Sequence, residues 1–526
     1  MLNTPSAQRG MITAPHHLAA EAGLRVLRDG GNAVKAMVAA AATVAVVYPH
    51  MNSMGGDGFW LIAEPGKAPV GVDAGGQSAA LATPEFYTSQ GLSAIPARGP
   101  NAALTVAGTI GGWDVALKTA GGKLSLERLL EDATYYAENG VPVTQGQFDL
   151  TTDKLAELKD VPGFGHLHLL DGKPLPTRHV LKQPALAAML KRLASAGLDD
   201  FYRGDVARAN AAGLEAVGSP LRLGDFEAYS AKTVTPLAVE ISNATLYNMT
   251  PPTQGVSSLM ILALFDRLGV TEAEGFDHLH GLVEATKQAF ILRNAELTDP
   301  KFMKSDVADW LKAPLLDDLA SRIDRKSALE WPHQPKAGDT IWMGAVDGEG
   351  RTVSFIQSVF WEYGSGVVVP ETGIMFQNRG NAFTLDPTHP NVLEPGKRTF
   401  HTLNPAMALL KDGRVMTYGN MGGEGQPQSQ SAVFSRYAMF GQPLQQAVTA
   451  PRWLLGRTWG EETTTLKLES RFDPALIEKL RAAGHQIDVL EPFTSTMGHA
   501  GAVVRYPDGV LEGAADPRSD GRVAAF

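Results

Sequence analysis

The spacing of apolar residues changes period several times along this chain. From His17 to Leu27 they recur at helical spacing and run into Asp29-Gly30-Gly31-Asn32, a glycine stop. Ala36 to Val47 is a nearly unbroken apolar run beginning beside Lys35. It is too short to cross a bilayer and predicts a buried core helix. Further helices are predicted over Leu124 to Asn139, with Ser125 as cap and Gly140 as stop, over Gln183 to Leu193, and over Val256 to Leu268. Asp277 to Leu297 reads as a long amphipathic helix, and another is expected around Ser429 to Phe440. Short β-rich runs predict strands at Trp60 to Ala63, Ala406 to Leu410 and Val415 to Tyr418.

One stretch organises the rest. Thr340 to Val346 and Thr352 to Val359 are rich in β-formers, and Asp347-Gly348-Glu349-Gly350 between them supplies turn chemistry, so a hairpin is predicted. The approach, Trp331-Pro332-His333-Gln334-Pro335-Lys336, is polar and broken by proline, which predicts a mobile linker. Periodicity leaves two readings of the junction. Either a loop simply enters a hairpin, or the chain is cut before Thr340, whose hydroxyl is then a nucleophile and whose freed α-amine is a base.

Composition narrows the chemistry. The 526 residues are 44% apolar and 19% charged, as expected for a soluble globular protein with a large core. A net charge of −10 argues against a nucleic-acid partner. The complete lack of cysteine excludes disulfides, thiolate metal sites and cysteine nucleophiles. Met1 to Gly10 shows no basic stretch followed by an apolar one, so a cytoplasmic protein with no membrane partner is expected.

Two glycine-rich turns stand out, Asn52 to Phe59 and Gly419 to Gln426. Each could present backbone N–H groups to an anion or oxyanion, or allow close packing. His280 and Glu284 lie four apart on one helix face and could ligate a metal, but without a His-Glu-x-x-His pattern a packing or solvent role is expected and no metal site is assigned. No Gly-x-Ser-x-Gly elbow and no repeat is present.

Many short motifs fall in one order. They include His17-Leu18-Ala19-Ala20-Glu21-Ala22-Gly23, Gly30-Gly31-Asn32-Ala33-Val34, Gly55-Gly56-Asp57-Gly58-Phe59 and Phe201-Tyr202-Arg203-Gly204. Gly338-Asp339-Thr340, Tyr363-Gly364-Ser365-Gly366, Gly422-Gly423, Ala450-Pro451-Arg452 and Asp516-Pro517-Arg518-Ser519 continue the series. Together they resemble the γ-glutamyltranspeptidase family of N-terminal-nucleophile hydrolases. The resemblance implies an α+β fold, a four-layer αββα sandwich. It also implies autocatalytic cleavage between Asp339 and Thr340, giving a large subunit (1–339) and a small one (340–526) that interleave as an α/β heterodimer. Thr340 is then the nucleophile, with its own α-amine as base, since such amines titrate near neutrality. Gly422 and Gly423 are implied as oxyanion donors and Ser358 as a hydroxyl beside the nucleophile. No cofactor is implied.

The departures bear on the substrate. Asp73-Ala74-Gly75-Gly76-Gln77-Ser78-Ala79 places Gly75 where family members acting on γ-glutamyl groups hold the substrate carboxylate with an arginine. Ala382 replaces the aspartate that binds the α-ammonium, His401-Thr402 replaces a serine pair, Arg379 stands where a glutamine is usual, and Ile341 replaces a threonine. The expected substrate is therefore a small carboxylated amide. Arg379 would grip its carboxylate, or alternatively form an ion pair with a nearby acid. His401, Thr402 and Asn381 complete the expected substrate-binding set. Similarity to members of the family that act on oxamate points to hydrolysis of oxamate. A γ-glutamyl hydrolase, transpeptidase or acylase is the alternative, and an unprocessed binding or structural homologue is the rival from another class.

Overall fold

The computed structural model describes residues 3–331, 339–456 and 463–526, so the linker expected before the hairpin lies, apart from Trp331, outside the described residues. Two seven-stranded antiparallel sheets form the centre. In chain order their strands are β1 (Ser6–Ala7), β2 (Gly10–Ala14), β3 (Asp57–Ala63), β4 (Val70–Ala74), β5 (Lys232–Val234), β6 (Leu237–Glu240) and β7 (Ala244–Asn248), followed by β8 (Asp339–Asp347) and β9 (Thr352–Phe360), then β10 (Ala406–Leu410), β11 (Val415–Asn420), β12 (Ala500–Arg505), β13 (Leu511–Ala515) and β14 (Arg522–Ala525). One sheet runs β14-β2-β8-β9-β3-β4-β5 and the other β1-β13-β12-β11-β10-β7-β6. Segments from before and after Thr340 are interleaved in both. β8 pairs with β2, β9 with β3, and β7 with β10.

Strand parity explains the layers. Ile341, Met343 and Ala345 belong to the core that the first sheet shares with helices α1 (His17–Arg28), α2 (Ala33–Val47), α3 (Thr109–Ala120) and α4 (Leu126–Asn139). The alternate residue Trp342 packs between the sheets with Phe59, Leu61, Ile356 and Met407. On the outer face of the second sheet, helices α5 (Gly255–Arg267), α6 (Phe276–Glu296) and α7 (Gln426–Phe434) build the other helical core. The order is thus helix, sheet, sheet, helix. The apolar run read as a core helix is α2, every residue of which is buried. Asn32 caps it by accepting from the Lys35 N–H at 2.9 Å.

Trp342 sits in a slot that only glycine permits. A Cβ on Gly344, Gly419 or Gly501 would meet its indole at 2.7, 2.1 and 2.6 Å respectively. Its Nε1 donates to Ser354 at 2.9 Å. The residue two after Thr340 is thereby clamped by both sheets, which fixes the start of β8.

Two expectations need correction. α6 is not amphipathic, for it is buried along most of its length, including His278, His280, Glu284 and Lys287. It lies between α5 and the helix Pro474–Ala482, so both faces meet protein. The helix expected around Ser429 to Phe440 instead begins at Gln426 and passes into a π turn at Ser435–Met439.

Candidate active site

β8 and β9 set the site's geometry. Their register is regular from Val346↔Thr352 to Ile341↔Gln357 and then slips, so that Asp339 faces Phe360. Thr340 lies in that irregularity, across from Ser358 and Val359. Ser358 accepts the Phe360 N–H at 2.8 Å, and Phe360 adopts φ +82°, a strained value for a bulky residue. Behind this turn the Gly56 backbone packs so closely that a Cβ there would lie 2.0 Å from the Ser358 carbonyl oxygen. Close approach, not an anion cradle, is what that glycine provides.

Thr340 is wholly buried. Parity turns its side chain toward the second sheet, where Gln426 at the start of α7 donates from Nε2 to Thr340 Oγ1 at 3.3 Å. Immediately before α7, Gly422 and Gly423 take φ values of +136° and +51°, which favour glycine. They connect β11 to α7 and so belong to the segment that meets Thr340. Gln254 braces this turn, its Nε2 donating to the Gly423 carbonyl at 2.8 Å and to the Thr402 carbonyl at 2.7 Å. Arg293 Nη1 donates to Gln254 Oε1 at 2.8 Å, and Arg293 pairs with Glu424 at 2.6 Å.

Arg379 is fully buried, its guanidinium 4.1 Å from the centre of the Phe360 ring. Nη1 donates to Thr402 Oγ1 at 3.2 Å, whereas Nε and Nη2 have no hydrogen-bond partner. Among the described side chains no carboxylate pairs with it. Burial pulls its pKa down to about 9, with Asp57 opposing the shift, so it remains a cation at neutral pH.

His401 is placed beside this cation with both ring nitrogens engaged. The Leu403 N–H donates to Nδ1 at 3.3 Å, which leaves the proton on Nε2 to bond Asp57 Oδ2 at 3.0 Å. Burial and the neighbouring Arg379 lower its pKa to about 4. Asp57 is a hub that accepts also from the Gly76 and Gly108 N–H groups and from Gln377 Nε2, at 2.9, 3.2 and 3.1 Å. Asn381 lies elsewhere. Its Nδ2 donates to the Ile95 carbonyl at 2.8 Å, and it lines a surface cavity with Thr88 and Phe383. Gly75 packs against Phe59, and Arg398 bonds Asp73 at 2.5 Å nearby.

The structure thus gathers Thr340, Ser358, Gly422, Gly423, Arg379, His401 and Thr402 around the hairpin's open end. Sequence reasoning missed Gln426, Asn404, Gln254, Arg293 and the hub role of Asp57. The only local signal was polar residues at the ends of helices or the starts of strands, which is common in ordinary turns.

The possible metal ligands are drawn into a packing network. His280, Glu284 and His485 converge within 4.8 Å. His280 Nδ1 bonds His485 Nε2 at 2.9 Å, and its Nε2 bonds the Asp324 carbonyl at 2.8 Å. Glu284 accepts from Lys287 Nζ at 2.7 Å and the Leu329 N–H at 3.1 Å. The lysine already compensates the carboxylate.

Comparison with known proteins places the chain in one family. A family model described as gamma-glutamyltranspeptidase matches residues 19–526. The chain is 53% identical over 521 residues to an oxamate amidohydrolase proenzyme of Klebsiella pneumoniae, covering 98% of each. It is 40% identical over 515 residues to a glutathione hydrolase-like proenzyme of Bacillus subtilis, covering 97% of each. Among solved structures it is similar to a cephalosporin acylase from Bacillus halodurans, with a TM-score of 0.92 and 32% identity, covering 100% of this chain and 97% of that one.

Proposed function

The chain belongs to the γ-glutamyltranspeptidase family and is an autoprocessing N-terminal-nucleophile amidohydrolase, and from that premise we propose that it hydrolyses oxamate to oxalate and ammonia through an ester on Thr340. The observation that carries the substrate is Arg379. A buried guanidinium with two nitrogens lacking partners is costly unless an anion meets it, and a carboxylate matches its planar fork. Gly75 and Ala382 leave no charged group at the two positions where family members hold a γ-glutamyl end. The similarity to an oxamate amidohydrolase proenzyme supports the same choice.

The steps follow from the residues. In the precursor Thr340 Oγ1 attacks the Asp339 carbonyl carbon, the C–N bond breaks, and water hydrolyses the resulting ester. The products are the Asp339 carboxylate and a free α-amine on Thr340. In turnover that amine takes the Thr340 hydroxyl proton as Oγ1 attacks the oxamate amide carbon. The Gly422 and Gly423 amides hold the developing oxyanion, and Arg379 with Thr402 holds the adjoining carboxylate. The amine returns the proton to the departing ammonia. It then takes one from water, which attacks the oxalyl ester, and gives that proton back to Oγ1. Net, oxamate and water become oxalate and ammonium.

The test has two arms. On a denaturing gel the protein should resolve into fragments of 339 and 187 residues, and Thr340→Ala should stay at 56.0 kDa. The processed enzyme should release ammonia from oxamate. An intact native chain under all conditions overturns the Thr340 assignment. Efficient turnover of γ-glutamyl-p-nitroanilide with none of oxamate keeps the family chemistry and removes this substrate.

A further inference from the structure

We propose that Gln426, aimed by Asn404, is a catalytic hydrogen-bond donor to Thr340 Oγ1 that serves both self-cleavage and turnover; the proposal rests on the reading of Thr340 as nucleophile. Both residues are completely buried. The direction of every bond in the relay can be deduced. The Asn404 backbone N–H, which can only donate, points to one terminal atom of the Gln426 amide at 3.3 Å, and Asn404 Nδ2 donates to the same atom at 3.0 Å. That atom is therefore the oxygen Oε1, and the NH2 group is the one facing Thr340 Oγ1 at 3.3 Å.

Asn404 is fixed in its turn. Its Nδ2 also donates to the Thr402 carbonyl at 2.9 Å, and its own carbonyl accepts from Gln430 Nε2 at 2.6 Å. Gln426 opens α7, directly after the Gly422–Gly425 turn, and the next residue, Pro427, occupies the first turn of the helix. Helix start, glycine turn and glutamine side chain are thus one rigid unit facing Thr340.

A donor at this oxygen acts wherever Oγ1 carries charge. During attack the hydroxyl proton leaves for the base and the new C–O bond is incomplete, so Oγ1 is transiently anionic. A preorganised N–H shortens toward it at that moment, which lowers the barrier without a proton being given away. In deacylation the C–Oγ1 bond breaks and the same oxygen bears the leaving charge. Self-cleavage uses the same atom against the Asp339 carbonyl. Gln426 therefore differs in kind from Arg379, whose guanidinium addresses only an external carboxylate. Asn404 is a positioning residue, because it acts on Thr340 only through Gln426.

Gln426→Leu, which keeps bulk and removes the donor, should slow self-cleavage and lower kcat on the processed fraction, each by roughly tenfold to a hundredfold, with KM for oxamate within about twofold. Gln426→Glu should be slow at neutral pH. Its activity relative to the native enzyme should rise as pH falls, because the protonated carboxyl regains an O–H donor. A residue that merely fills space gives no such rise, so this ratio decides the matter even if the leucine variant folds poorly. Native rates of both reactions in Gln426→Leu, or a flat ratio in Gln426→Glu, overturn the proposal. Thr340→Ala run alongside separates the two readings. If it still self-cleaves, the nucleophile assignment fails and this proposal with it. If it is inert while the Gln426 variants behave natively, only the glutamine assignment falls.

Discussion

At the scale of single residues the site is defined by which polar atoms are already committed. His401 looks like a substrate donor in the sequence, yet Asp57 and the Leu403 N–H occupy both of its nitrogens, so it shapes the pocket by holding the Asp57 hub. Asn381 spends its amide on Ile95. Arg379 is the contrary case, with Nε and Nη2 buried and unpartnered. Arg379→Ala should therefore raise KM for oxamate about a hundredfold, the loss of a charge-assisted pair worth roughly 3 kcal/mol. Self-cleavage should proceed at the native rate, because that reaction binds no external carboxylate. Steady-state ammonia release and a gel time course on one preparation check both halves, and an unchanged KM would remove Arg379 from substrate binding.

At the scale of elements, the β8–β9 hairpin and the β11–α7 junction have to meet with little tolerance. The meeting is governed by Trp342, which three glycines from two sheets accommodate. Gly419→Ala would place a methyl group 2.1 Å from the indole, so Trp342 and the strand start behind it must shift. Overpacking of this kind costs about 1–3 kcal/mol. The expected result is a lower urea midpoint together with slower self-cleavage, since Thr340 and Gln426 lie at the two edges of the displaced region. Trp342→Phe in the Gly419→Ala background should recover part of the midpoint. If the single variant matches the native protein in both measurements, the slot does not govern the junction.

For the molecule as a whole, stability should depend on pH through buried histidines. Burial lowers the pKa of His16, His168, His278, His485 and His499 to about 3 and that of His401 to about 4. In the unfolded chain these groups titrate near the ordinary value of about 6.5. Between those limits the unfolded state binds more protons than the folded one, so stability is greatest above about pH 6.5 and declines as pH falls toward 3. Urea midpoints taken at pH 7.5, 6 and 5 should decrease in that order. A midpoint independent of pH over this range would contradict the neutral burial of these rings. Interleaving has a consequence at the same scale. Because β2 and β3 flank the β8–β9 hairpin, the two segments divided at Thr340 share one hydrogen-bonded sheet. They should stay associated after cleavage under native conditions and elute together in gel filtration.

Local physics was enough for much of this protein. The glycine stops after α1 and α4, the Ser125 cap, the all-buried α2 and the hairpin with its Asp347–Gly350 turn all follow from interactions within a few residues, and they were legible in the sequence. Motif order across the chain added the family, and with it the layered sandwich. Burial of α6 was not legible, because whether a helix's polar face meets water or another helix depends on what packs there. The same holds for the relay from Asn404 to Gln426 to Thr340 and for the Asp57 hub. Their partners lie 22, 86 and 344 residues apart in the chain, and a polar side chain in a turn looks alike whether it faces solvent or a buried oxygen. Only the packing of two sheets against each other decides which oxygen it faces, since that packing removes the water that would otherwise serve as its partner.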